Sequence, residues 1–305
     1  MHVAGTVALV GRPNAGKSTL LNRLLAEKVA IVSNKPQTTR HRMVGILSEE
    51  RGQMVFYDTP GIHKPLHQLN RQMLQAALDA MNDADVVCLL VDITDKYGGG
   101  DAHTLELVQR IKAPRLLLIN KIDLVKKTSL LSRMEKYATA GFDEIIPISA
   151  AKGDGCDILL EQLWKRMPEG EARYDRELLT IHPERFLVAE RIREKVLSHT
   201  SDELPYSTAV KLETWEEQDG LVKIHAVILV DRSGQKAIVI GAGGQMIKAI
   251  GTAARLDLEE FLGKKVYLEL FVREEQGWRE DPRLLAELDS DLYYSGGSSA
   301  DEPPE

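Results

Sequence analysis

The chain has 305 residues, of which 43% are hydrophobic and 28% are charged, a composition typical of soluble globular proteins. This length allows two domains, because a single hydrophobic core stops growing at roughly 250–300 residues. No apolar run approaches the ~20 residues that cross a bilayer, and the N-terminus lacks the features of a signal peptide. The two cysteines, Cys88 and Cys156, do not indicate a disulfide framework. We expect a cytoplasmic protein with reduced thiols.

The formal net charge of −7 does not exclude a nucleic-acid partner, because most of it lies at one end of the chain. Residues 281–305 carry a net charge of −6, which leaves the rest of the chain almost neutral. Basic patches can therefore exist locally whatever the total is. We predict a short helix at 282–288, followed by an acidic tail of low complexity that we expect to be disordered.

The first part of the chain alternates short apolar strands with amphipathic helices. This alternation predicts an α/β domain with a mainly parallel sheet and helices on both faces. Strands are predicted at 6–10, 43–47, 54–57, 86–91, 116–119 and 145–148. Helices are predicted at 17–26, 69–81, 103–111, 130–140 and 156–166. We assign residues 1–168 to this domain and residues 169–180 to a linker.

The second part has a different order of elements, α-β-β-α-α-β, which predicts a smaller α+β domain over 181–280. Its charged helix alternates arginine and lysine with glutamate, a pattern that predicts a solvated face. The predicted elements are a helix at 183–198, strands at 207–214 and 222–230, a short helix, a helix at 245–261 and a strand at 266–272.

Residues 11–18 match the phosphate-binding pattern G-x-x-x-x-G-K-[ST] and lie between a predicted strand and a predicted helix, as this motif requires. The backbone N–H groups of such a loop surround phosphates at the N-terminus of the helix. We expect Lys17 to contact the β- and γ-phosphates and Ser18 to ligate Mg²⁺. The predicted phosphate-binding residues are Gly11, Arg12, Pro13, Asn14, Ala15, Gly16, Lys17, Ser18 and Thr19.

A second motif follows the strand at 54–57. Its carboxylate, Asp58, is predicted to hold Mg²⁺ through water, and the N–H of Gly61 is predicted to approach the γ-phosphate. The motif alone is equally consistent with an ordinary turn, and the phosphate loop favours the functional interpretation. Its residues are Asp58, Thr59, Pro60 and Gly61.

Two further motifs predict that the base is guanine. Asp123 can accept hydrogen bonds from N1–H and the 2-amino group of guanine, a donor pair that adenine lacks. Asn120 can bond N7, and the stem of Lys121 can lie over the base. The third loop can offer a backbone N–H to O6 from Ser149, Ala150 or Ala151. Four motifs in this order, each at the end of a strand, predict a site for GTP and GDP.

The same motifs resemble those of translation-factor-like bacterial GTPases. Residues 35–42 (KPQTTRHR), 203–206 (ELPY) and 238–251 resemble the Era family in particular, and the resemblance extends over about residues 5–288. It implies a P-loop GTPase domain followed by a type II KH domain. It also implies that Thr39, with Thr38 beside it, lies in the first switch and ligates Mg²⁺ only when a γ-phosphate is present. A solvated loop is the alternative for this segment without GTP.

The residue after Gly61 is Ile62, where Ras-like enzymes carry a glutamine that orients water. We therefore expect slow intrinsic hydrolysis, on the order of 10⁻⁴–10⁻² s⁻¹. The missing element is a monovalent cation, a backbone group of the first switch, or an RNA or ribosomal partner. Asn14 resembles the K⁺-coordinating asparagine of related GTPases, and support of the turn is its alternative role. The predicted catalytic residues are Lys17, Thr39, Gly61 and Asn14, and we expect His63 and His67 to be bystanders.

A G-x-x-G loop between two helices, in this order of elements, is typical of a KH domain, whose loop holds about four nucleotides. KH loops often carry lysine or arginine at their two middle positions, so the alanine and glycine found here predict modest affinity. A KH-like fold that binds only protein is the alternative. The predicted RNA-binding residues are the loop Gly241, Ala242, Gly243 and Gly244 and the basic residues Lys236, Lys248 and Arg255.

The resemblance to the Era family implies a function. The target would be the 3′ end of small-subunit ribosomal RNA, and the role would be assembly of the small ribosomal subunit. We expect a cytoplasmic monomer that binds no DNA. The resemblance also implies peripheral contact with the inner membrane, but no long amphipathic basic helix in the sequence supports it. The main alternative is a membrane-associated signalling GTPase that uses its KH unit for protein docking. An RNA-modifying enzyme would need a catalytic cysteine, a metal cluster or a second cofactor motif, and the sequence has none.

Overall fold

The computed structural model of the chain describes residues 2–35, 37–63, 65, 67–96, 98–200, 204 and 207–290. The chain divides into two units, Met1–Ile181 and His182–Glu305. The first unit includes residues 169–180, for which we predicted a linker. Of the segment 203–206, only Leu204 is described, and the acidic tail at 291–305 lies outside the described residues.

The first unit contains a six-stranded sheet in the order β2-β3-β1-β4-β5-β6. All neighbouring pairs are parallel except β2 with β3. Because parallel strands end at the same edge of a sheet, the motifs that follow β1, β3, β5 and β6 are gathered there. The strands are β1 Val3–Gly11, β2 Met43–Glu49, β3 Gly52–Asp58, β4 Val86–Asp92, β5 Arg115–Asn120 and β6 Glu144–Pro147.

Among the residues described, five helices lie on this sheet. The mainly parallel α/β fold predicted from the sequence is confirmed. Helix α3 begins four residues before its predicted start, because the carboxylate of Asp101 accepts the N–H of Gly98 at 2.9 Å and caps the helix. Cys88 and Cys156 are buried and unbridged. The helices are α1 Lys17–Leu25, α2 Gln68–Asp83, α3 Gly99–Gln109, α4 Lys127–Tyr137 and α5 Cys156–Trp164.

The segment predicted to be a linker lies along the edge strand β2. The N–H of Ile46 donates to the carbonyl oxygen of Leu179 at 2.8 Å. Tyr174 packs against Val44, Ile46 and Val55, which form a small buried cluster. The edge of the sheet is therefore covered, as exposed edge strands usually are in folded proteins.

The second unit has the predicted α-β-β-α-α-β order. Its sheet runs β7-β8-β9, with β7 antiparallel and β9 parallel to β8. Helices α6 and α8 enclose a core with residues of the sheet, among them Ile192, Ile228, Ile250 and Leu258. The elements are α6 Glu184–His199, β7 Thr208–Gln218, β8 Leu221–Val230, α7 Ser233–Ile240, α8 Gln245–Leu262, β9 Lys265–Glu274 and α9 Pro282–Ser290.

The prediction of a solvated face on α6 is wrong. Arg193 is only 2% exposed, and its guanidinium pairs with Glu190 at 2.6 Å. Arg191 is also buried and pairs with Asp257 of α8 at 3.3 Å. Alternating charges look the same in sequence whether they contact water or a neighbouring helix. Here α8 lies against Arg191.

The statement that no stretch suits a bilayer also needs correction. Residues 233–262 are long and apolar enough to span a membrane, by length and composition only. The stretch is interrupted by a glycine loop between α7 and α8. Val239, Ile250, Ala254 and Leu258 in it are buried in the core of the second unit. Part of its apolar surface therefore belongs to this core.

Candidate functional site

The loop after β1 is bent closely around the start of α1. Gly16 has φ 95°, and a Cβ at this position would lie 2.2 Å from Nδ2 of Asn120, so only glycine fits. Lys17 is buried, and its ammonium donates to the carbonyl oxygens of Arg12 at 3.0 Å and Gly11 at 3.4 Å. Burial lowers the pKa of Lys17 to about 8, although the nearby Asp58 carboxylate acts to raise it.

Two hydroxyls and a carboxylate meet beside this loop. Ser18 Oγ donates to Asp58 Oδ2 at 2.6 Å and lies 2.9 Å from Thr39 Oγ1. Asp58 Oδ1 is buried and has no hydrogen-bond partner within the described ranges. Burial raises the pKa of Asp58 to about 6, against the opposing effects of Lys17 and the two hydroxyls.

This arrangement fits Mg²⁺. The ion prefers oxygen ligands and is usually held by one or two protein groups together with substrate phosphates. A buried carboxylate oxygen without a partner is a group that a cation would satisfy. No cluster of three or more His, Cys, Asp or Glu side chains that could hold a metal occurs among the residues described. The oxygen atoms grouped here are the two hydroxyls and the carboxylate of Asp58.

An open cavity of about 300 Å³ lies between the phosphate loop and the segment that precedes Thr39. Asn14 crosses this boundary, since its Nδ2 donates to the carbonyl oxygen of Asn34 at 2.8 Å. Asn14 itself has φ 63°, a conformation that asparagine tolerates better than most residues. Thr38 bonds the carbonyl of Lys35 at 2.6 Å. The first switch is thus joined to the phosphate loop in this structure.

The motif after β3 is anchored in the core. Ile62 is 2% exposed, belongs to the core cluster of the first unit, and its N–H donates to Gly11 at 3.0 Å. A buried isoleucine cannot orient a water molecule. The hydroxyl of Thr59 donates to the carbonyl of Leu9 at 2.8 Å, so Thr59 also holds the loop in place.

His63 makes hydrogen bonds to two segments of the site. Its Nδ1 lies 2.8 Å from the carbonyl oxygen of Gly61, and its Nε2 lies 2.8 Å from Nε2 of Gln37. Gln37 precedes Thr38 and Thr39 in the first switch. The histidine therefore connects this switch to the motif after β3.

The remaining motifs lie together at the same edge of the sheet. The amide of Asn120 donates to the carbonyl of Ala15 at 2.8 Å and accepts the N–H of Ala150 at 2.9 Å. Ser149 Oγ donates to Asp123 Oδ1 at 2.7 Å and orients this otherwise exposed carboxylate. Asn120 thus joins the phosphate loop to the third loop, and the N–H of Ala150 is engaged by protein.

Several residues near this site were missed from the sequence. Asp92, at the end of β4, lies 2.5 Å from the ammonium of Lys121. Arg23 donates to the carbonyl of Ala151 at 2.6 Å. Asp101 pairs with Arg12, which was predicted, at 3.3 Å. Asp92 could have been predicted from its position at the end of a strand, because each predicted motif also lies at the end of a strand.

The glycine loop of the second unit requires glycine at its first position. Gly241 has φ 72°, and a Cβ there would lie 2.5 Å from Cβ of Met246. The loop ends at Gly244, which precedes the N-terminus of α8, where backbone N–H groups favour anions. Lys248 is exposed and Lys236 is half-buried. Arg255 pairs with Glu259 at 2.9 Å, so its charge is largely compensated within α8.

Comparisons with known proteins agree with both sites. A family described as 50S ribosome-binding GTPase matches residues 6–121, and a KH-domain family matches residues 203–279. The chain is 48% identical to GTPase Era of Geobacter metallireducens, over 93% of this chain and 97% of that protein. It is 41% identical to GTPase Era of Staphylococcus haemolyticus, over 94% and 97% of the two chains.

Two solved structures are similar over almost the whole chain. One is Era in complex with MgGDPNP and nucleotides 1506–1542 of 16S ribosomal RNA, with a TM-score of 0.90, 37% identity and coverage of 94% and 99%. The other is an Aquifex aeolicus Era variant bound to GDP·AlF4⁻, with a TM-score of 0.90, 38% identity and coverage of 94% and 98%. On this evidence the chain belongs to the Era family of GTPases.

Proposed function

We propose that this protein is a GTP-hydrolysing switch that binds the 3′ end of small-subunit ribosomal RNA and assists assembly of the small ribosomal subunit. One observation carries the proposal. The same chain combines a phosphate loop and guanine motifs at one edge of its first sheet with a G-x-x-G loop at the start of α8. The related Era bound to MgGDPNP and 16S ribosomal RNA supports it.

The guanine end of the site depends on Asp123. Its carboxylate is exposed, and Ser149 donates to one of its oxygens. The carboxylate can still accept the N1–H and 2-amino donors of guanine. A backbone N–H of the loop at 149–151 would face O6, and the stem of Lys121 would cover the ring. The purine that suits this set is guanine.

At the phosphate end, the ammonium of Lys17 is already directed at the loop that would hold the β- and γ-phosphates. The hydroxyls of Ser18 and Thr39 would hold Mg²⁺, with Asp58 bonding it through water. Bound there, the ion neutralises charge on the β- and γ-phosphate oxygens. Lys17 adds a fixed positive charge, and the N–H of Gly61 adds a donor toward the γ-phosphate.

Hydrolysis by this site is expected to be slow, because Ile62 is buried and supplies no group to the attacking water. A monovalent cation near Asn14, a backbone group of the first switch, or a bound partner supplies the missing element. Because Thr39 lies beside Ser18 and both hydroxyls would ligate Mg²⁺, we expect the γ-phosphate to fix the first switch and its loss to release it.

RNA binding is assigned to the loop at 241–244 together with Lys248 and Lys236. Arg255, which we also predicted to contact RNA, is paired with Glu259 and contributes less. Action on the assembling small subunit places the protein in the cytoplasm. The comparisons give no support to peripheral membrane contact or to the alternative of a membrane-associated signalling GTPase.

The test is a titration of labelled RNA, corresponding to nucleotides 1506–1542 of 16S ribosomal RNA, with GDPNP, with GDP and without nucleotide. We expect the tightest binding with GDPNP and a loss of about tenfold in Lys248→Glu, because a charge that meets phosphate is reversed. Lys265→Glu, an exposed charge on β9, is the matched control and should change little. Affinity that ignores both the nucleotide and Lys248, together with binding to anionic lipid vesicles, would favour the signalling alternative.

A further inference from the structure

Asp92 lies beside the guanine motifs but belongs to none of them. It is the last residue of β4, directly opposite Asn120 in the register of β4 and β5. Its side chain is only 6% exposed, and its Oδ2 lies 2.5 Å from Nζ of Lys121. Its Oδ1 accepts the N–H of Thr94 at 2.8 Å and the hydroxyl of Thr94 at 2.6 Å. Both oxygens are engaged, so the carboxylate has one orientation.

Lys121 is the residue on which Asp92 acts. It has φ 65°, a left-handed conformation that is unusual for lysine. Lys121 lines the cavity beside the phosphate loop, and its side chain remains about one-third exposed. A lysine side chain is a flexible chain of methylene groups and loses conformational entropy when it is held in one place. Here the ammonium is held by Asp92 while the stem between the two ends stays on the cavity wall.

We propose that Asp92 is a positioning residue for guanine recognition, which fixes the ammonium of Lys121 so that its stem forms one wall of the base pocket before the nucleotide arrives. This inference rests on the proposed guanine-binding role of the site. A wall that is ordered in advance strengthens binding, because the nucleotide does not have to order it.

The carboxylate stays ionised in this position. Burial alone would raise the pKa of Asp92, but the hydrogen bonds from Lys121 and Thr94 outweigh it and lower the pKa below its ordinary value. The competing explanation is structural, namely that Asp92 only closes the turn after β4 through Thr94. The two explanations differ in whether the effect of Asp92 passes through Lys121.

The experiment is a double-mutant cycle on GDP affinity with Asp92→Asn and Lys121→Met. Asparagine keeps the shape of the side chain and an acceptor for Thr94 but removes the charge that holds the ammonium. We expect Asp92→Asn to weaken GDP binding about tenfold in the native background and less than about twofold in the Lys121→Met background. Thr94→Val is the control, since it removes one bond to Asp92 without touching Lys121, and it should change GDP affinity less than twofold.

Two outcomes would overturn the inference while the proposed function stands. The first is an equal loss from Asp92→Asn in both backgrounds. The second is a loss in Thr94→Val as large as in Asp92→Asn, which would mark a structural role. If Asp92→Asn unfolds the chain, Asp92→Ser takes its place in the same cycle, because serine also removes the charge that holds the ammonium, and the same two outcomes decide. A native protein that binds ATP as tightly as GTP would instead overturn the proposed function itself.

Discussion

Gln37 and His63 join the two segments that flank the γ-phosphate position. Nε2 of Gln37 lies 2.8 Å from Nε2 of His63 and also donates to Oδ1 of Asn70 at 3.3 Å. An amide nitrogen can only donate, so His63 Nε2 must accept, and the ring proton is on Nδ1. That proton is donated to the carbonyl oxygen of Gly61 at 2.8 Å. His63 therefore holds Gly61 in register with the first switch.

Replacing His63 should slow hydrolysis without loosening the nucleotide. In His63→Leu the bridge from Gln37 to Gly61 is lost, and we expect single-turnover GTP hydrolysis to fall roughly tenfold because donors near the γ-phosphate lose their fixed positions. GDP affinity should change less than about threefold, since GDP has no γ-phosphate. His103→Leu, at an exposed position on α3, is the control. Equal losses in GDP affinity and turnover would contradict this role.

Asn14 provides a test of monovalent-cation dependence. Its Nδ2 is fixed by the carbonyl of Asn34 at 2.8 Å, so its side-chain oxygen has a defined direction as well. If that oxygen helps to hold K⁺ near the phosphates, turnover in K⁺ should exceed turnover in Na⁺ by roughly tenfold or more. Asn14→Ala should remove the difference while leaving the rate in Na⁺ unchanged. Equal turnover of the native protein in the two salts would remove Asn14 from the mechanism.

Much of the nucleotide site could be predicted because each of its motifs is a short, continuous stretch of sequence. Asp58 and Asn120 each end a strand of a mainly parallel sheet, and such a sheet brings the ends of its strands to one edge. Order along the chain and position at a strand end were therefore enough to group them. The G-x-x-G loop was predictable for a similar reason, since its meaning depends on the two helices that flank it.

The remaining features depend on partners that are distant in sequence. Gln53 bonds Tyr174, which is 121 residues away. Arg191 looked solvated among the alternating charges of its own helix, but it is buried and pairs with Asp257 of α8. Asp92 was a strand residue like many others until the register of β4 and β5 placed it beside Lys121. Local patterns carry no information about such pairings.

Gln53 holds the segment after α5 against the first sheet, and its loss should destabilise the first unit. The side chain is buried; its oxygen accepts the N–H groups of Arg173 and Tyr174 at 2.9 and 3.0 Å, and its nitrogen donates to the carbonyl of Tyr174 at 2.9 Å. Gln53→Leu would leave these backbone groups without partners, at a cost of about 2–4 kcal/mol in the free energy of unfolding.

The free energy of unfolding is measured by urea titration. GDP stabilises the unit that binds it, so the transition that shifts when GDP is added belongs to the first unit. The control is Gln75→Leu on α2, an exposed glutamine that bonds Asp79 within its own helix. It should change the free energy of unfolding by no more than about 0.5 kcal/mol. A Gln53→Leu variant as stable as the native chain would show that the segment is held by its apolar contacts instead.

Asp58 should make the protein less stable at neutral pH when nucleotide and metal are absent. Burial raises its pKa from the ordinary 3.8 to about 6, so the group favours the folded state below pH 3.8, and that contribution is lost as the pH rises through 6. Asp58→Asn, which cannot ionise, should therefore be more stable than the native protein at pH 7–8, by on the order of 1–3 kcal/mol. The gain should shrink as the pH falls toward 4. Urea unfolding of nucleotide-free protein in EDTA across this range, with exposed Glu27→Gln as a control without such a trend, tests it. Lower stability of Asp58→Asn at pH 8 would mean that the attraction between Asp58 and Lys17 exceeds the desolvation of the carboxylate.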